Sequence, residues 1–233
     1  MDIAQGTQEW LNLRAGRPSA SMFDNIMTAG RKKSESAERY MNHLLAERVL
    51  GRPIDGFKSK YMELGNEYES RAVASYELTN QCDTYKVGFV TTDDGLIGCS
   101  PDRFIEGCDE GMLEAKAPTP AVHISYLLAS TGASKEYRVQ LAGQLWLCEK
   151  SWVDIISYCP GFPDAVFRVY RDEEFIKELA AHVRAFSNQL EDKAADFAAR
   201  GWIKTHQPDP VDDSPRYGFI SDADLAWAME RPL

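Results

Sequence analysis

Residues 98–118 read GCSPDRFIEGCDEGMLEAKAP, two apolar runs on either side of a glycine-containing turn. The second run, residues 112–117, is predicted to be a short strand that is largely buried. Residues two apart on a strand face the same side, so Glu114 and Lys116 share one face. Buried charges are unfavourable unless they pair with each other or hold a metal ion. A simple ion pair at a sheet edge is the plainer of these two interpretations.

Asp102 favours the metal interpretation. It ends the preceding strand of the same predicted hairpin, so it can lie beside Glu114. Two adjacent carboxylates repel each other, which raises a carboxyl pKa unless a cation lies between them. Carboxylate oxygens are ligands that suit Mg²⁺ and Mn²⁺. Lys116 could orient a water and help to deprotonate it, or stabilise charge on a phosphate. The combination predicts hydrolysis of a phosphodiester.

Outward from this stretch, the hydrophobic period alternates between that of helices and that of strands. Apolar stripes predict helices over 8–15, 20–29, 36–51, 61–79, 137–148 and 175–201. Alternating patterns predict strands over 86–92, 96–105, 112–117, 152–158 and 165–170, with a hairpin turn at 93–95. This order predicts an α/β fold in which a mixed central β-sheet is flanked by helices.

Length and composition favour one large folded domain with appendages, because the chain has 233 residues and is 44% hydrophobic. No apolar run approaches the roughly 20 residues of a membrane span, so no membrane partner is expected. The N-terminus, MDIAQGTQEW, lacks the pattern of a signal peptide. The five cysteines are scattered and form no C-x-x-C pair, which favours a reduced cytoplasmic setting over a zinc ribbon.

Charge is distributed unevenly along the chain. The formal net charge is −10, which argues weakly against nucleic acid as a partner. Residues 11–60 nevertheless carry ten Lys and Arg against five Asp and Glu, whereas the segment from 205 onward carries six acids against two arginines. The basic excess could be chance clustering on solvated faces, or it could line a channel for DNA.

Ser100-Pro101-Asp102 followed by Glu114-Ala115-Lys116 resembles the PD-(D/E)XK nuclease signature. That signature is short, but further motifs resemble the YqaJ-type viral recombinase, or phage lambda exonuclease, family. They follow one another from residue 8 to about 202: Trp10, Arg14, Gly16 and Ser21; Tyr40 with Leu44-Leu45-Ala46-Glu47; Gly65-x-x-Tyr68-Glu69; and Tyr137-x-x-Gln140 with Trp146. The resemblance implies a restriction-endonuclease-like core of the PD-(D/E)XK type.

The resemblance also implies a metal site. Asp102 and Glu114 would bind the ion, together with the backbone carbonyl of Ala115. Glu69 would complete the acidic site, either through water or through a second metal ion. The expected cofactor is Mg²⁺, for which Mn²⁺ could substitute, with two ions in each active site.

Roles for further residues follow from the same resemblance. Lys116 would assist the attacking water, and Gln140 would lie near the nucleophile or the scissile phosphate. Arg14 and Ser21 would hold the 5′-phosphate at the DNA end. Other contacts with phosphate or DNA are expected from residues of the basic N-terminal third: Ser19, Arg17, Lys32 and Lys33.

The implied activity is that of an Mg²⁺-dependent 5′-to-3′ exonuclease. Members of the family degrade one strand of linear double-stranded DNA to mononucleotides and leave a 3′ single strand. They form ring-shaped homotrimers and work with a single-strand annealing protein in a bacterial cell, from phage or prophage genes. We accordingly expect one nuclease domain over 1–203, with DNA-end-binding helices in 8–60 and the catalytic core in 61–203. The acidic tail, 204–233, has no counterpart in the family.

Each of these residues also has a simpler interpretation. Glu69 could be a solvated acid on its helix, and Gln140 and Gln144 could hydrogen-bond across the helix surface. Arg14 could pair with a nearby acid, and Ser21 could cap a helix, a role that is compatible with phosphate binding.

Two rival functions remain open. The chain could be another PD-(D/E)XK nuclease, such as an endonuclease or a junction resolvase, or it could be a non-catalytic DNA-end-binding scaffold for recombination. The scaffold is disfavoured because Asp102, Glu114 and Lys116 are all present. Comparing linear with closed circular duplex in Mg²⁺ would separate these functions.

Overall fold

A five-stranded sheet with helices packed against it forms the fold within residues 5–54 and 60–203, the residues that this computed structural model describes. The strands are β1 Thr84–Lys86, β2 Val90–Thr91, β3 Gly98–Cys99, β4 Arg103–Ile105, β5 Gly111–Lys116, β6 Trp152–Ser157 and β7 Ala165–Tyr170. The helices are α1 Gln8–Arg14, α2 Ala37–Leu50, α3 Lys60–Asn80, α4 Pro120–Leu128, α5 Arg138–Leu147 and α6 Glu173–Ala199, with 3₁₀ helices at Ala20–Asn25 and Gly132–Lys135. The tail predicted over 204–233 lies outside the described residues.

β5 lies at the centre of the sheet, whose order is β1-β4-β5-β6-β7. It pairs antiparallel with β4 and parallel with β6, and β6 pairs antiparallel with β7. This arrangement confirms the predicted α/β class with a mixed central sheet flanked by helices. The ion pair that the simpler interpretation expected between Glu114 and Lys116 is present, but on a central strand, because β5 pairs with β4 on one side and with β6 on the other.

The hairpin predicted from 86–92 and 96–105 is shorter than expected. β1 pairs with β4 in the main sheet, whereas β2 and β3 form a separate two-stranded sheet around the predicted turn at 93–95. The second strand is interrupted at Pro101, which has no N–H to donate to a strand ladder. Asp102 therefore lies immediately before β4 and does not end a strand.

Two helical segments differ from the prediction. The helix expected over 20–29 is a 3₁₀ helix that ends at Asn25, after which Met27 forms a bridge with Lys33. α4 has no counterpart among the predicted helices. Its sequence, PAVHISYLL, is apolar on several sides and so lacks the period of an amphipathic helix, although Pro at the first position favours a helix start.

Two separate apolar cores cover the faces of the sheet. The larger core lies on the side of α2, α5 and α6, and its fully buried side chains include Met112, Leu141, Leu145, Phe175 and Leu179. The smaller core lies on the side of α3 and includes Ala72, Val73, Tyr76, Leu113 and Ile156. Since Met112 and Glu114 are two residues apart on β5, Glu114 faces the larger core and α5.

A pair of cysteines attaches β3 to the end of α5. Cys99 Sγ lies 3.5 Å from Cys148 Sγ, and all five cysteines, each within the described ranges, are free thiols. The contact holds the strand that precedes Asp102 next to the helix that carries Gln140. None of the described helices has the length and the apolar composition needed to cross a membrane.

Candidate active site

β5 and the residue before β4 bring three of the predicted catalytic side chains together. The antiparallel register of β4 and β5 places Asp102 next to Glu114. The backbone N–H of Ala115 donates to Asp102 Oδ2 at 2.8 Å and fixes that carboxylate against β5. Lys116 Nζ lies 2.7 Å from Glu114 Oε1 on the same face of the strand. We refer to Asp102, Glu114 and Lys116 as the catalytic cluster.

α5 supplies two amide donors to Glu114. Gln140 Nε2 donates to Glu114 Oε1 at 2.5 Å, and Gln144 Nε2 donates to Glu114 Oε2 at 2.8 Å. The two glutamines are one turn apart, and the amide of each donates to Glu114 on β5. They do not form the hydrogen bond with each other that the simpler interpretation expected. Glu114 is only 3% exposed, so these donors substitute for water around its carboxylate.

The electrostatics of the cluster are dominated by its carboxylates. Burial is the largest cause of the raised pKa of Asp102, and Glu114 and Glu69 raise this pKa further. Burial and the Glu114 carboxylate likewise raise the pKa of Glu69 on α3. Burial lowers the pKa of Lys116, but Glu114 and Asp102 outweigh this effect and raise the pKa above its usual value. An additional cation would relieve the repulsion among the acids.

The oxygen ligands available at the cluster fit Mg²⁺. Asp102 Oδ1 is left over from the bond to Ala115, and it can bind a cation together with Glu114 and the Ala115 carbonyl. Mg²⁺ keeps several waters and is usually bound through one or two carboxylates, so this set is sufficient. Within the described residues, no three His, Cys, Asp or Glu side chains form a metal-binding group. Glu69 lies close enough for its charge to raise the pKa of Asp102.

A second group of predicted residues lies between α1 and the first 3₁₀ helix. Arg14 Nη2 donates to Ser21 Oγ at 3.4 Å, and the Arg14 guanidinium lies 4.3 Å from the centre of the Trp10 ring. Trp10 Nε1 donates to Ser100 Oγ at 3.0 Å, which attaches α1 to the segment that ends in Asp102. Burial lowers the pKa of Arg14, because it disfavours the charged form of the guanidinium. An anion bound beside Arg14 would stabilise that charged form.

A cleft of about 360 Å³ is lined by one residue of the Arg14–Ser21 pair and by one residue that is bonded to the catalytic cluster. Ser21 and Asp24 line it on the side of the 3₁₀ helix, and Tyr137 and Gln140 line it on the side of α5. Gln140 also donates to Glu114, so this one side chain links the cleft to the catalytic cluster, whereas Arg14 and the cluster itself do not line the cleft. Tyr137 contacts the cluster too, because its ring centre lies 4.6 Å from Lys116 Nζ.

The loop after Arg14 is held by α2 in a way that sequence analysis did not assign. Glu47 Oε2 accepts a hydrogen bond from the Gly16 N–H at 2.7 Å, and Arg48 Nε donates to the Gly16 carbonyl at 2.8 Å. Gly16 has a positive φ of 69°, which favours glycine. A Cβ there would lie 2.5 Å from Arg48 Cγ. The sequence signals for this contact were a glutamate on the apolar side of a predicted helix and the presence of Gly16 and Glu47 among the family motifs.

Arg17 and Ser19, two further predicted DNA contacts, have contacts within the protein beside the Arg14–Ser21 pair. Arg17 donates from Nε to the Gly95 carbonyl at 2.8 Å and also donates to the Leu13 carbonyl, so its guanidinium joins α1 to the turn after β2. Ser19 is 6% exposed, and its N–H donates to the hydroxyl of Tyr40 at 3.2 Å. These contacts fix the backbone on either side of the Arg14–Ser21 pair.

The remaining predicted DNA contacts, Lys32 and Lys33, are exposed in the turn that follows the first 3₁₀ helix. Their neighbour Arg31 differs, because it pairs with Glu178 at 3.0 Å and with Glu174 at 3.5 Å on α6. The positive charge that this turn offers to a polyanion therefore comes from the two lysines.

A family model described as the YqaJ-like viral recombinase domain matches residues 9–151 of the chain. The matched range includes the Arg14–Ser21 pair, the catalytic cluster and both glutamines of α5. No curated protein matches the chain.

Solved structures of exonucleases share the fold. An alkaline exonuclease, LHK-Exo, from Laribacter hongkongensis is 26% identical with a TM-score of 0.74, over 84% of this chain and 98% of that one. LHK-Exo in complex with dAMP gives 27% identity and a TM-score of 0.75 over the same shares. A phage-related exonuclease from Haemophilus somnus 129PT, at 14% identity, shares the fold with a TM-score of 0.64 over 78% of this chain and 96% of that one.

Proposed function

The chain belongs to the YqaJ-like viral recombinase domain family, and from this membership we propose that it degrades linear double-stranded DNA from its ends. The family and the likeness to LHK-Exo support a nuclease of the phage-exonuclease type. We propose further that it is Mg²⁺-dependent, acts 5′ to 3′, releases mononucleotides, and leaves a 3′ single strand for recombination by strand annealing. The complex of LHK-Exo with dAMP is consistent with mononucleotide release.

One observation carries this proposal: a single cleft is lined by Ser21, which with Arg14 suits a terminal phosphate, and by Gln140, which is bonded to a cluster suited to a metal ion. A nuclease that recognises an end needs both parts, because the phosphate contact positions the first phosphodiester at the reacting groups. Ser21 and Gln140 line opposite sides of this cleft. An endonuclease that cuts within a duplex has no use for an end-phosphate site.

In the proposed mechanism, the chain positions an attacking water and neutralises charge on the phosphate. Asp102 and Glu114 would hold the metal ion, which would supply a lowered pKa of the water and positive charge beside the phosphate. The Ala115 N–H fixes the orientation of Asp102. Gln140 reaches the cleft from Glu114 and orients the water or the scissile phosphate.

Lys116 acts in this mechanism chiefly as a positive charge. Its ammonium lies 2.7 Å from Glu114, and the raised pKa keeps it protonated at neutral pH. A protonated lysine cannot accept a proton from water, but it stabilises negative charge that builds on a phosphate during attack. The ion pair with Glu114 supports charge stabilisation, one of the two roles open from the sequence.

Recognition of the 5′-phosphate is assigned to Arg14 and Ser21. Trp10 stacks on Arg14 and hydrogen-bonds to Ser100, so the arginine is held in one orientation relative to Asp102. A guanidinium and a hydroxyl that converge on one point are a suitable donor set for phosphate oxygens. The exposed Lys32 and Lys33 extend the positive surface along the duplex.

Assembly into a homotrimeric ring and cooperation with a single-strand annealing protein complete the proposal. Both are expected from the family. A ring that surrounds the duplex would explain how a chain of net charge −10 acts on DNA, since only the inner surface needs to be positive.

The test compares three duplexes of one sequence in Mg²⁺: linear with 5′-phosphates, linear with 5′-hydroxyls, and covalently closed circular. We expect rapid release of mononucleotides from the first, slower release from the second, none from the third, and none in EDTA. A label at the 3′ end should stay in the single strand, and the Asp102→Ala variant should release nothing. Cutting of the circle would indicate an endonuclease, and binding of ends without any release would indicate a scaffold.

A further inference from the structure

Gln144 lies beside the catalytic cluster and has no role in the mechanism described above. Its side chain is on α5, 2% exposed, and its Nε2 donates to Glu114 Oε2 at 2.8 Å. Gln140, one turn earlier on α5, lines the cleft, whereas Gln144 lies beneath it. A direct contact of Gln144 with DNA is therefore excluded by its burial.

The donors around Glu114 are divided unequally between its two oxygens. Oε1 accepts from both Lys116 and Gln140, at 2.7 and 2.5 Å. Among the side chains of residues 5–54 and 67–203, Gln144 is the one that donates to Oε2. The terminal torsion of glutamate is broad, so a carboxylate with partners on one oxygen alone can rotate. Gln144 is what sets the plane of this carboxylate.

Packing of α5 does not explain a glutamine at this position. Its Oε1 is buried and, within the described part of the chain, has no hydrogen-bond partner. A buried carbonyl without a donor is unfavourable, and buried side chains on either side of it along α5, Leu141 and Leu145, are apolar. An apolar side chain at this position would avoid the cost of burying an unpaired carbonyl. The feature that accounts for an amide here is its hydrogen bond to Glu114.

We infer that Gln144 is a positioning residue that fixes the Glu114 carboxylate in the orientation needed to bind the divalent cation. This inference rests on the proposed function, because it assumes that Glu114 is a metal ligand. Gln140 holds Oε1 from the side of the cleft and Gln144 holds Oε2 from the core, so the two amides divide the task. Partners of this kind typically change metal affinity by about 10–100-fold when they are removed.

The test measures binding of Mn²⁺ to the full chain without DNA, by isothermal titration calorimetry. Gln144→Met keeps the length and volume of the side chain and removes the amide, and Gln144→Leu serves as a second variant that matches its apolar neighbours. Leu145→Met is the matched control, because it places the same residue at the next buried position of α5. We expect Mn²⁺ to bind about tenfold or more weakly to both Gln144 variants and with wild-type affinity to the control.

Kinetics provide a second measurement. In the Gln144 variants, the Mg²⁺ concentration needed for half-maximal exonuclease rate should rise, while the KM for 5′-phosphorylated duplex at saturating Mg²⁺ should stay at the wild-type value. Wild-type affinity for Mn²⁺ in either folded Gln144 variant would overturn the inference and leave the proposed function intact. If wild type and Asp102→Ala bind Mn²⁺ equally poorly, both the inference and the metal mechanism fail.

Discussion

Glu114 is the residue through which the site is assembled. Its carboxylate contacts Lys116 from the same strand and two glutamines from α5, and its charge raises the pKa of both Asp102 and Glu69. The larger effect on these two acids is their burial. Without a metal ion, the ionised carboxylates of the cluster therefore lower the free energy of unfolding, and binding of a cation would raise it.

Replacing Lys116 by alanine should reduce the rate of DNA hydrolysis and leave the binding of DNA ends nearly unchanged. Removing one electrostatic contact to a developing charge typically lowers kcat by about 10²–10³-fold. The measurement is single-turnover release of mononucleotides in Mg²⁺, with end binding measured in EDTA. The control is Lys193→Ala on the exposed side of α6, which should behave as wild type. A Lys116→Ala variant with more than a tenth of the wild-type rate would exclude the assigned role.

Replacing Asp102 by asparagine should stabilise the metal-free protein at neutral pH. The folded-state pKa of Asp102 is raised above its usual 3.8, so the folded state binds more protons than the unfolded state between the two values. Stability therefore falls as pH rises through this window, and an asparagine, which does not ionise, avoids the loss. The measurement is thermal unfolding in EDTA from pH 4 to pH 8.

A control of opposite sign is available in Asp172→Asn. Asp172 caps α6, and the Phe175 N–H lowers the pKa of its carboxyl. The ionised carboxylate therefore stabilises the fold at pH values above the pKa that Asp172 has in the unfolded chain. Its replacement should lower the unfolding temperature at neutral pH. Equal effects of the two substitutions would mean that Asp102 is not in an acidic, buried environment.

Packing of α5 against the first 3₁₀ helix sets the width of the cleft. Gly143 lies at this contact, where an added Cβ would lie 2.6 Å from Phe23 Cδ2 and 3.1 Å from Ala20 Cβ. The absence of a side chain allows Ser21 to approach Gln140 across the cleft. Close approach of these two elements is thus what places Ser21 and Gln140 on the walls of one cleft.

Gly143→Ala should destabilise the fold by about 1–3 kcal/mol, because an overpacked contact forces the 3₁₀ helix away from α5. It should also weaken the preference for a 5′-phosphate over a 5′-hydroxyl, since Ser21 moves with that helix. The measurements are urea unfolding and the ratio of rates on the two ends. Gly30→Ala is the control, because its nearest neighbour lies 3.8 Å away. If Gly143→Ala is destabilised but keeps the wild-type preference for a 5′-phosphate, the cleft is not the site at which the 5′-phosphate is recognised.

Part of this site could be predicted from local sequence, and part could not. Strand alternation places Glu114 and Lys116 on one face, and pairing of adjacent strands brings Asp102 to them, because both rules act over a few residues. The contacts of Gln144 and Gly16 depend on how whole helices are rotated and packed, which local pattern does not determine. The helix α4 was missed because its apolar residues show no period, and the early end of the first 3₁₀ helix depends on a bridge to Lys33.

The charge of the whole molecule matters less than its distribution. The net charge of −10 would repel DNA, yet Lys32 and Lys33 are exposed near the 3₁₀ helix that carries Ser21. Arg17 and Arg31, which looked equally suited in the sequence, are held by contacts within the protein.

The double variant Lys32→Ala/Lys33→Ala should weaken DNA binding and reduce its dependence on salt. Each lost phosphate contact lowers the slope of log K against log salt by about 0.9, so a change between about 1 and 2 is expected. The measurement is binding to a 5′-phosphorylated duplex across a salt series in EDTA, with processivity measured in Mg²⁺. The control is Lys177→Ala/Lys193→Ala on α6. An unchanged slope together with unchanged processivity would exclude the two lysines from the DNA surface.

Metal binding at the catalytic cluster is tested most directly by anomalous diffraction from a crystal that contains Mn²⁺. We predict one or two anomalous peaks beside β5, one for each Mn²⁺ ion. The first ion should lie about 2.0–2.3 Å from oxygens of both Asp102 and Glu114. Lys116 should lie outside the coordination sphere, and Gln144 should remain bonded to Glu114. A crystal without an anomalous peak at this position, with Asp102 and Glu114 directed apart, would contradict the proposed nuclease mechanism.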